Sequence, residues 1–151
     1  WLTQGYLKDQ RNSEVLWRGG YLHTGDVANQ DKAGFVKITD RIKDVIKIGG
    51  EWISSLELED IVCSHPAVGE VAVIGLPDGK WGEKPLALVV VKQGIEPPSE
   101  KQLVAHTKEF IDKGMLTKQA MLLKVKFVDA IDKTSVGKIN KKSLREKYVT
   151  V

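Results

Sequence analysis

The twenty residues DRIKDVIKIGGEWISSLELE, 40–59, decide the fold. Within them Val45–Ile48 is an apolar run of strand length. Gly49-Gly50 supplies a two-residue turn, and Glu51, Trp52 and Ile53 return as a second strand. Ser54 followed by Glu57 fits a capping box, in which the hydroxyl accepts a free backbone N–H and the carboxylate answers at the cap. Leu58, Ile61 and Val62 then recur at helical spacing, and His65-Pro66 ends the helix. A hairpin running directly into a capped amphipathic helix predicts an α+β domain.

Outward from this stretch the alternation continues. Val71–Ile74 and Leu86–Val91 are strand-length apolar runs, joined by an expected loop from Pro77 to Pro85. Ser99 with Gln102 makes a second capping box, and Leu103, Thr107, Phe110 and Ile111 form a helical stripe. Val125, Phe127 and Val128 suggest a last strand, and a loop from Asp129 to Gly137 leads into a basic helix near Lys141–Tyr148. The expected architecture is a small mixed sheet with flanking helices, about a hundred residues long and near the usual domain size. Toward the N-terminus, residues 1 to about 40 are rich in turn signals (Gly5, Asn12, Gly19, Gly20, Gly25, Asn29, Gly34) with short strands between them. They hold too little apolar material for a core and read as the β-rich tail of a larger domain. The expected division is 1–42 and 43–151, and a chain opening at Trp1 reads as a piece of a longer one.

The 151 residues carry a net charge of +3, with 42% hydrophobic and 28% charged residues, as soluble globular proteins do. Such a mild charge argues against a nucleic-acid binder. No apolar run approaches the roughly 20 residues of a membrane span, and the single Cys63 excludes an internal disulfide and suits a cytoplasmic setting. The charge is uneven: Lys138, Lys141, Lys142, Arg145 and Lys147 face Glu146 alone, which reads for most of them as a solvated helix face. Aromatic residues interleaved with basic ones, the mark of single-strand binders, are lacking there.

Several residues are candidates for chemistry. Asp26, beside Gly25 in an expected turn, has the geometry to accept two hydroxyl hydrogen bonds, or it simply caps the turn. Arg41 carries a permanently charged fork suited to phosphate or ribose, Lys43 falls where the two segments meet, and an ordinary charged linker accounts for both equally well. Gly49 and Gly50 permit close approach of a ligand or of another backbone, or simply make a hairpin turn; Lys47 stands two residues before them, and Trp52 reads as a wall or gate beside them, although an isolated tryptophan is more often core. Thr134-Ser135-Val136-Gly137-Lys138 is not a Walker A loop, since its first glycine is absent and Ile139 stands where the magnesium-holding hydroxyl belongs. It offers one lysine on a flexible loop. A charge pair at ~4 Å and an effective dielectric of ~20 is worth roughly 4 kcal/mol. If it is made only in a transition state, that is about three orders of magnitude in rate. No metal-ligand cluster is visible.

In this order and spacing, YLHTGD (21–26), DRIKDVIKIGG (40–50), the ELE helix, VAVIGLPD (71–78) and the final Gly137-Lys138 resemble the C-terminal portion of the adenylate-forming ligase superfamily. GGEWISSLELE and KWGEKPLALVVV look most like its medium- to long-chain fatty-acyl-CoA synthetases, with an aryl or short-chain acid ligase as the alternative; a non-catalytic binding module is the reading from another class. The resemblance implies a two-step reaction, in which a carboxylic acid and ATP give an acyl-adenylate and a coenzyme A thiol then displaces AMP. It implies that Asp26 and Arg41 bind the nucleotide, Lys43 is the hinge and Lys138 touches the α-phosphate and the substrate carboxylate. Lys47 would support the second step, Gly49 and Gly50 would border the pantetheine channel, and Trp52 would flank the acyl tunnel or nucleotide pocket. Magnesium and most of the ATP site belong, on this resemblance, to the N-terminal domain, so the chain alone is expected to be inactive. One departure is Asp132-Lys133-Thr134 leading into the final loop, where the family often has Pro and Thr (PxTxxGK).

Overall fold

The computed structural model describes residues 2–149; Trp1, Thr150 and Val151, at the ends of the two expected segments, lie outside the described residues. The chain forms two compact units, Trp1–Lys43 and Asp44–Val151.

In the first unit the helix α1 (Gln10–Leu16) replaces the turns and short strands expected there. Asp9 caps it by accepting from Asn12 N–H at 3.1 Å, and Gln10 donates to Glu14 one turn later at 2.8 Å. These local polar bonds hold a helix whose residues are all at least partly exposed. The strands β1 (Asp26–Gln30) and β2 (Val36–Arg41) follow as an antiparallel hairpin. Among the described residues of this unit no hydrophobic side chain is buried; Asp40 is, and it accepts from its neighbour Arg41 N–H at 2.7 Å.

The second unit is an α+β domain built on a mixed sheet in the order β4-β3-β6-β5, with β7 parallel to β6. The strands β3 (Ile46–Ile48) and β4 (Glu51–Ile53) flank Gly49 and Gly50, whose φ of 57° and 91° make a tight turn with both central residues left-handed. The strands β5 (Val68–Asp78) and β6 (Gly82–Val91) make one long antiparallel ladder. The expected loop from Pro77 to Pro85 is therefore mostly strand. Each proline sits in the ladder opposite a partner, Pro77 facing Glu83 and Pro85 facing Gly75. Asp78 closes the turn by accepting from Lys80 N–H and Trp81 N–H, both at 3.0 Å.

Alternation along the ladder creates two cores. Val71, Val73, Ala87 and Val89 pack with Leu58, Ile61 and Val62 of α2 (Ser55–Cys63) and with Leu103 of α3 (Glu100–Asp112). On the other face Ala72, Ile74, Leu86 and Leu88 pack with Ile131 and with Leu144 of α4 (Lys141–Tyr148). Ser99 and Gln102 form the expected reciprocal box at the start of α3, and Ser54 accepts from Glu57 N–H at 3.2 Å at the start of α2. The last strand, β7, spans Lys124–Phe127. Since β5 is an edge strand, its Val73 N–H projects away from the ladder, and it finds the Glu59 carboxylate at 2.8 Å.

Candidate functional site

Asp26 and Arg41 stand opposite each other at the open end of the β1–β2 hairpin. Asp26 is the first residue of a strand rather than part of a turn, and one of its carboxylate oxygens lies 3.7 Å from Arg41 Nε. Gly25, with φ of 77°, precedes it and accepts from Ile42 N–H at 2.8 Å, so chain reversal and strand pairing together hold the acid and the guanidinium side by side. Arg41 is mostly exposed and Asp26 partly so. A carboxylate with a neighbouring fork of donors can accept from a vicinal diol while the guanidinium meets a phosphate. Lys43 is exposed and ends this unit.

In the second unit the candidate residues separate into two groups. Lys47 and Trp52 are cross-strand partners on the outward face of the Gly-Gly hairpin, with Lys47 Nζ 5.3 Å from the Trp52 ring centroid. Trp52 is 57% exposed and so presents a surface. The hairpin is fastened through Lys47 N–H to Glu83 at 2.7 Å and Gly49 N–H to the Trp81 carbonyl at 2.8 Å. A Cβ on Gly49 would stand 3.2 Å from the Trp81 ring, so this glycine serves both the turn and the close approach of an aromatic side chain. Trp81, half-buried against the larger core, was not among the residues singled out from the sequence.

Lys138 sits elsewhere. Lys133 and Ile139 bridge, Gly137 N–H donates to the Thr134 carbonyl at 2.9 Å, and Thr134 N–H donates to the Lys138 carbonyl at 2.7 Å. Thr134 Oγ1 also accepts from Lys138 N–H at 3.2 Å, so the retained threonine shapes the loop although the usual proline is absent. Residues 133–138 are exposed, and Lys133 Nζ anchors the loop to Glu70 at 2.6 Å. Glu70 pairs with Val90 whereas Glu83, which holds the Lys47 backbone, pairs with Pro77. Glu70 and Pro77 are seven residue steps apart along the strand, or roughly 20 Å at ~3.3 Å per residue. The two cationic segments are thus fastened to opposite ends of one ladder.

The basic C-terminal helix departs most from its sequence reading. Lys141 is no solvated lysine: its side chain and that of Glu59 are 10% and 11% exposed, 2.7 Å apart, and Lys141 also donates to Ser55 Oγ at 2.7 Å. Arg145 donates to Asp44 at 2.9 Å, and Lys147 lies 3.6 Å from Asp132. Lys142 keeps the expected exposed character, 3.9 Å from Glu146, and Lys147 remains largely exposed beside Asp132. Helix periodicity places these cations on several faces, and partners far away in the chain determine which of them are buried. Tyr148 carries the ammonium groups of Lys126 and Lys147 at 4.8 and 5.8 Å from its ring centroid.

A mixed sheet layered between helices, with an exposed Gly-Lys loop and an exposed Gly-Gly hairpin, makes a small α+β domain. Residues 57–138 match the AMP-binding enzyme C-terminal domain, and the chain belongs to that family. It is 47% identical over 150 residues to a 3-methylmercaptopropionyl-CoA ligase of Ruegeria lacuscaerulensis, covering 98% of this chain and 26% of that protein. It is 41% identical over 149 residues to a long-chain-fatty-acid–CoA ligase of Thermus thermophilus, with 98% and 26% covered. Among solved structures, ATP-bound MatB from Rhodopseudomonas palustris superposes with a TM-score of 0.83 at 33% identity, covering 97% of this chain and 28% of that one. The chain therefore spans about a quarter of the length of the curated relatives it matches. Among the described residues no helix is long and apolar enough to cross a membrane.

Proposed function

We infer that this chain is the C-terminal portion of an ATP-dependent, AMP-forming acyl-CoA synthetase acting on fatty acids. In the first step a carboxylate oxygen attacks the α-phosphorus of ATP and pyrophosphate leaves. In the second the thiol of coenzyme A attacks the acyl carbon and AMP leaves. Asp26 accepts from the ribose hydroxyls, Arg41 contacts the same nucleotide, and Lys138 stabilises charge growing on the α-phosphate and carboxylate oxygens. Lys47 and the Gly49-Gly50 turn border the thiol's approach, with Trp52 as a wall, and rotation at Lys43 exchanges the two faces.

The observation carrying this reading is the attachment of the Lys138 loop and the Lys47–Gly50 hairpin to opposite ends of the β5–β6 ladder. Two steps with different charge demands suit two separated cationic segments brought up in turn. Resemblance to the Thermus thermophilus ligase supports a long acyl chain. The greater identity to the 3-methylmercaptopropionyl-CoA ligase supports, as a second reading, a short-chain carboxylic acid. The described residues contain no cluster of three or more His, Cys, Asp or Glu suited to a metal. On the family resemblance, magnesium is assigned to the remainder of the polypeptide, this unit's natural partner. A cytoplasmic, reducing setting suits the free, exposed Cys63.

The test uses the full-length polypeptide, ATP, and carboxylic acids of graded length. Acid-dependent pyrophosphate release is expected, with the preferred length deciding between the two readings. Lys138→Ala should lower that release about a thousandfold while leaving thioester formation from supplied acyl-adenylate largely intact. Absence of acid-dependent release, or equal loss of both steps, would overturn the proposal.

A further inference from the structure

We propose that Arg145 and Asp44 form a positioning couple that locks the Lys138 loop to the chain segment following Lys43, so that both move as one body. The inference rests on the division of labour proposed above and adds to it a pair of residues that touch neither substrate.

Asp44 is the first residue of the second unit, directly after Lys43. Its carboxylate, with the side chain 13% exposed, receives Arg145 Nη1 at 2.9 Å, and Val45 and Ile46 beyond it are buried. Arg145 lies in α4, and that helix is fixed to the base of the Lys138 loop by several bonds. Asn140 N–H donates to the Asp132 carbonyl at 2.8 Å, and Asn140 caps α4 by accepting from Ser143 N–H at 3.2 Å. Ser143 Oγ donates to Asp132 Oδ2 at 3.1 Å. An unbroken path of bonds thus runs from residue 44 through Arg145 and the first turns of α4 to residues 132–140. The Lys47–Gly50 hairpin needs no such path, because β3 follows Val45 directly and is fastened to Glu83 and Trp81.

The consequence is an asymmetry between the two steps. Without the couple, rotation at Lys43 carries the hairpin faithfully but delivers Lys138 less accurately, and a misplacement of about 1 Å costs on the order of a hundredfold in a positioned reaction. In the full-length polypeptide, Arg145→Ala and the isosteric Asp44→Asn should each lower acid-dependent pyrophosphate release about 10- to 100-fold. Thioester formation from supplied acyl-adenylate should change less than about threefold. The Asp44→Asn/Arg145→Ala double variant should lose no more than the worse single one. Arg145→Lys should recover part of the rate. Independently of turnover, hydrogen–deuterium exchange at 134–138 should accelerate severalfold in Asp44→Asn, although residue 44 is distant in sequence from that loop. Unchanged exchange there, additive losses, or equal loss of both steps would overturn the couple. A wild-type protein without acid-dependent pyrophosphate release would instead overturn the function proposed above, with the exchange measurement still deciding the mechanical link.

Discussion

Lys141→Met is the most informative single perturbation of the second unit. The Lys141 ammonium lies 2.7 Å from Glu59 and 2.7 Å from Ser55 Oγ, in a site about nine-tenths removed from solvent. Glu59 in turn accepts from Val73 N–H, the outward edge group of β5, at 2.8 Å. Removing the cation takes from a buried carboxylate the counter-charge 2.7 Å away, and breaking such a pair costs about 3–5 kcal/mol. Some solvent reaches the pair, so the lower end applies, about 3 kcal/mol. For a unit of this size that corresponds to a fall in Tm of roughly 10–20 °C. Urea and thermal melts of the chain, followed by far-ultraviolet circular dichroism, read it directly. The second variant is Lys141→Met with Glu59→Gln. A neutral amide oxygen still accepts from Val73 N–H while the buried negative charge is gone, so the double variant should lie within about 1 kcal/mol of wild type. A Lys141→Met cost below about 1 kcal/mol, or a double variant less stable than the single one, would refute the reasoning.

Gly49→Ala should destabilise by about 1–2 kcal/mol, since φ is left-handed and the new methyl meets the Trp81 ring at 3.2 Å. Gly50→Ala, strained in backbone but with nothing within 4 Å, should cost less, and paired thermal melts compare the two. Ser99→Ala removes one half of a reciprocal box at α3 and should cost about 1 kcal/mol by urea midpoint. Burial, with a smaller contribution from neighbouring His106, holds the His65 pKa below its ordinary 6.5. The unfolded chain then binds more protons than the folded one near that pH, so stability should fall as pH drops through about 6.5, and His65→Gln should flatten the slope. The Lys84 hydrogen bond chiefly holds Asp78 below 3.8. Its contribution is complete above about pH 4 and should be lost as pH falls through the lowered pKa, an effect absent from Asp78→Asn melts.

Local chemistry alone determined the caps at Ser54 and Ser99, the Gly49-Gly50 hairpin, the helical stripe of Leu58, Ile61 and Val62, and the strand character of Val71–Ile74 and Leu86–Val91. Each of these depends on residues a few positions apart, whose preferences act before any distant contact forms. Helix α1 escaped notice because polar capping bonds hold it rather than an apolar stripe. The β5–β6 ladder outran its apolar runs because pairing, the Asp78 turn and the room that Gly75 leaves for the Glu83 carboxylate carry it past two prolines. Only tertiary structure decided which basic residues of α4 are solvated. Lys141 meets Ser55 across 86 residues of chain and Arg145 meets Asp44 across 101, and nothing in the local pattern around 138–147 distinguishes these cations from Lys142. The sheet edge and the faces packed against it make that distinction. Burial turns a lysine into a structural partner wherever a carboxylate waits, and the meeting of two such groups is a property of topology rather than of local sequence.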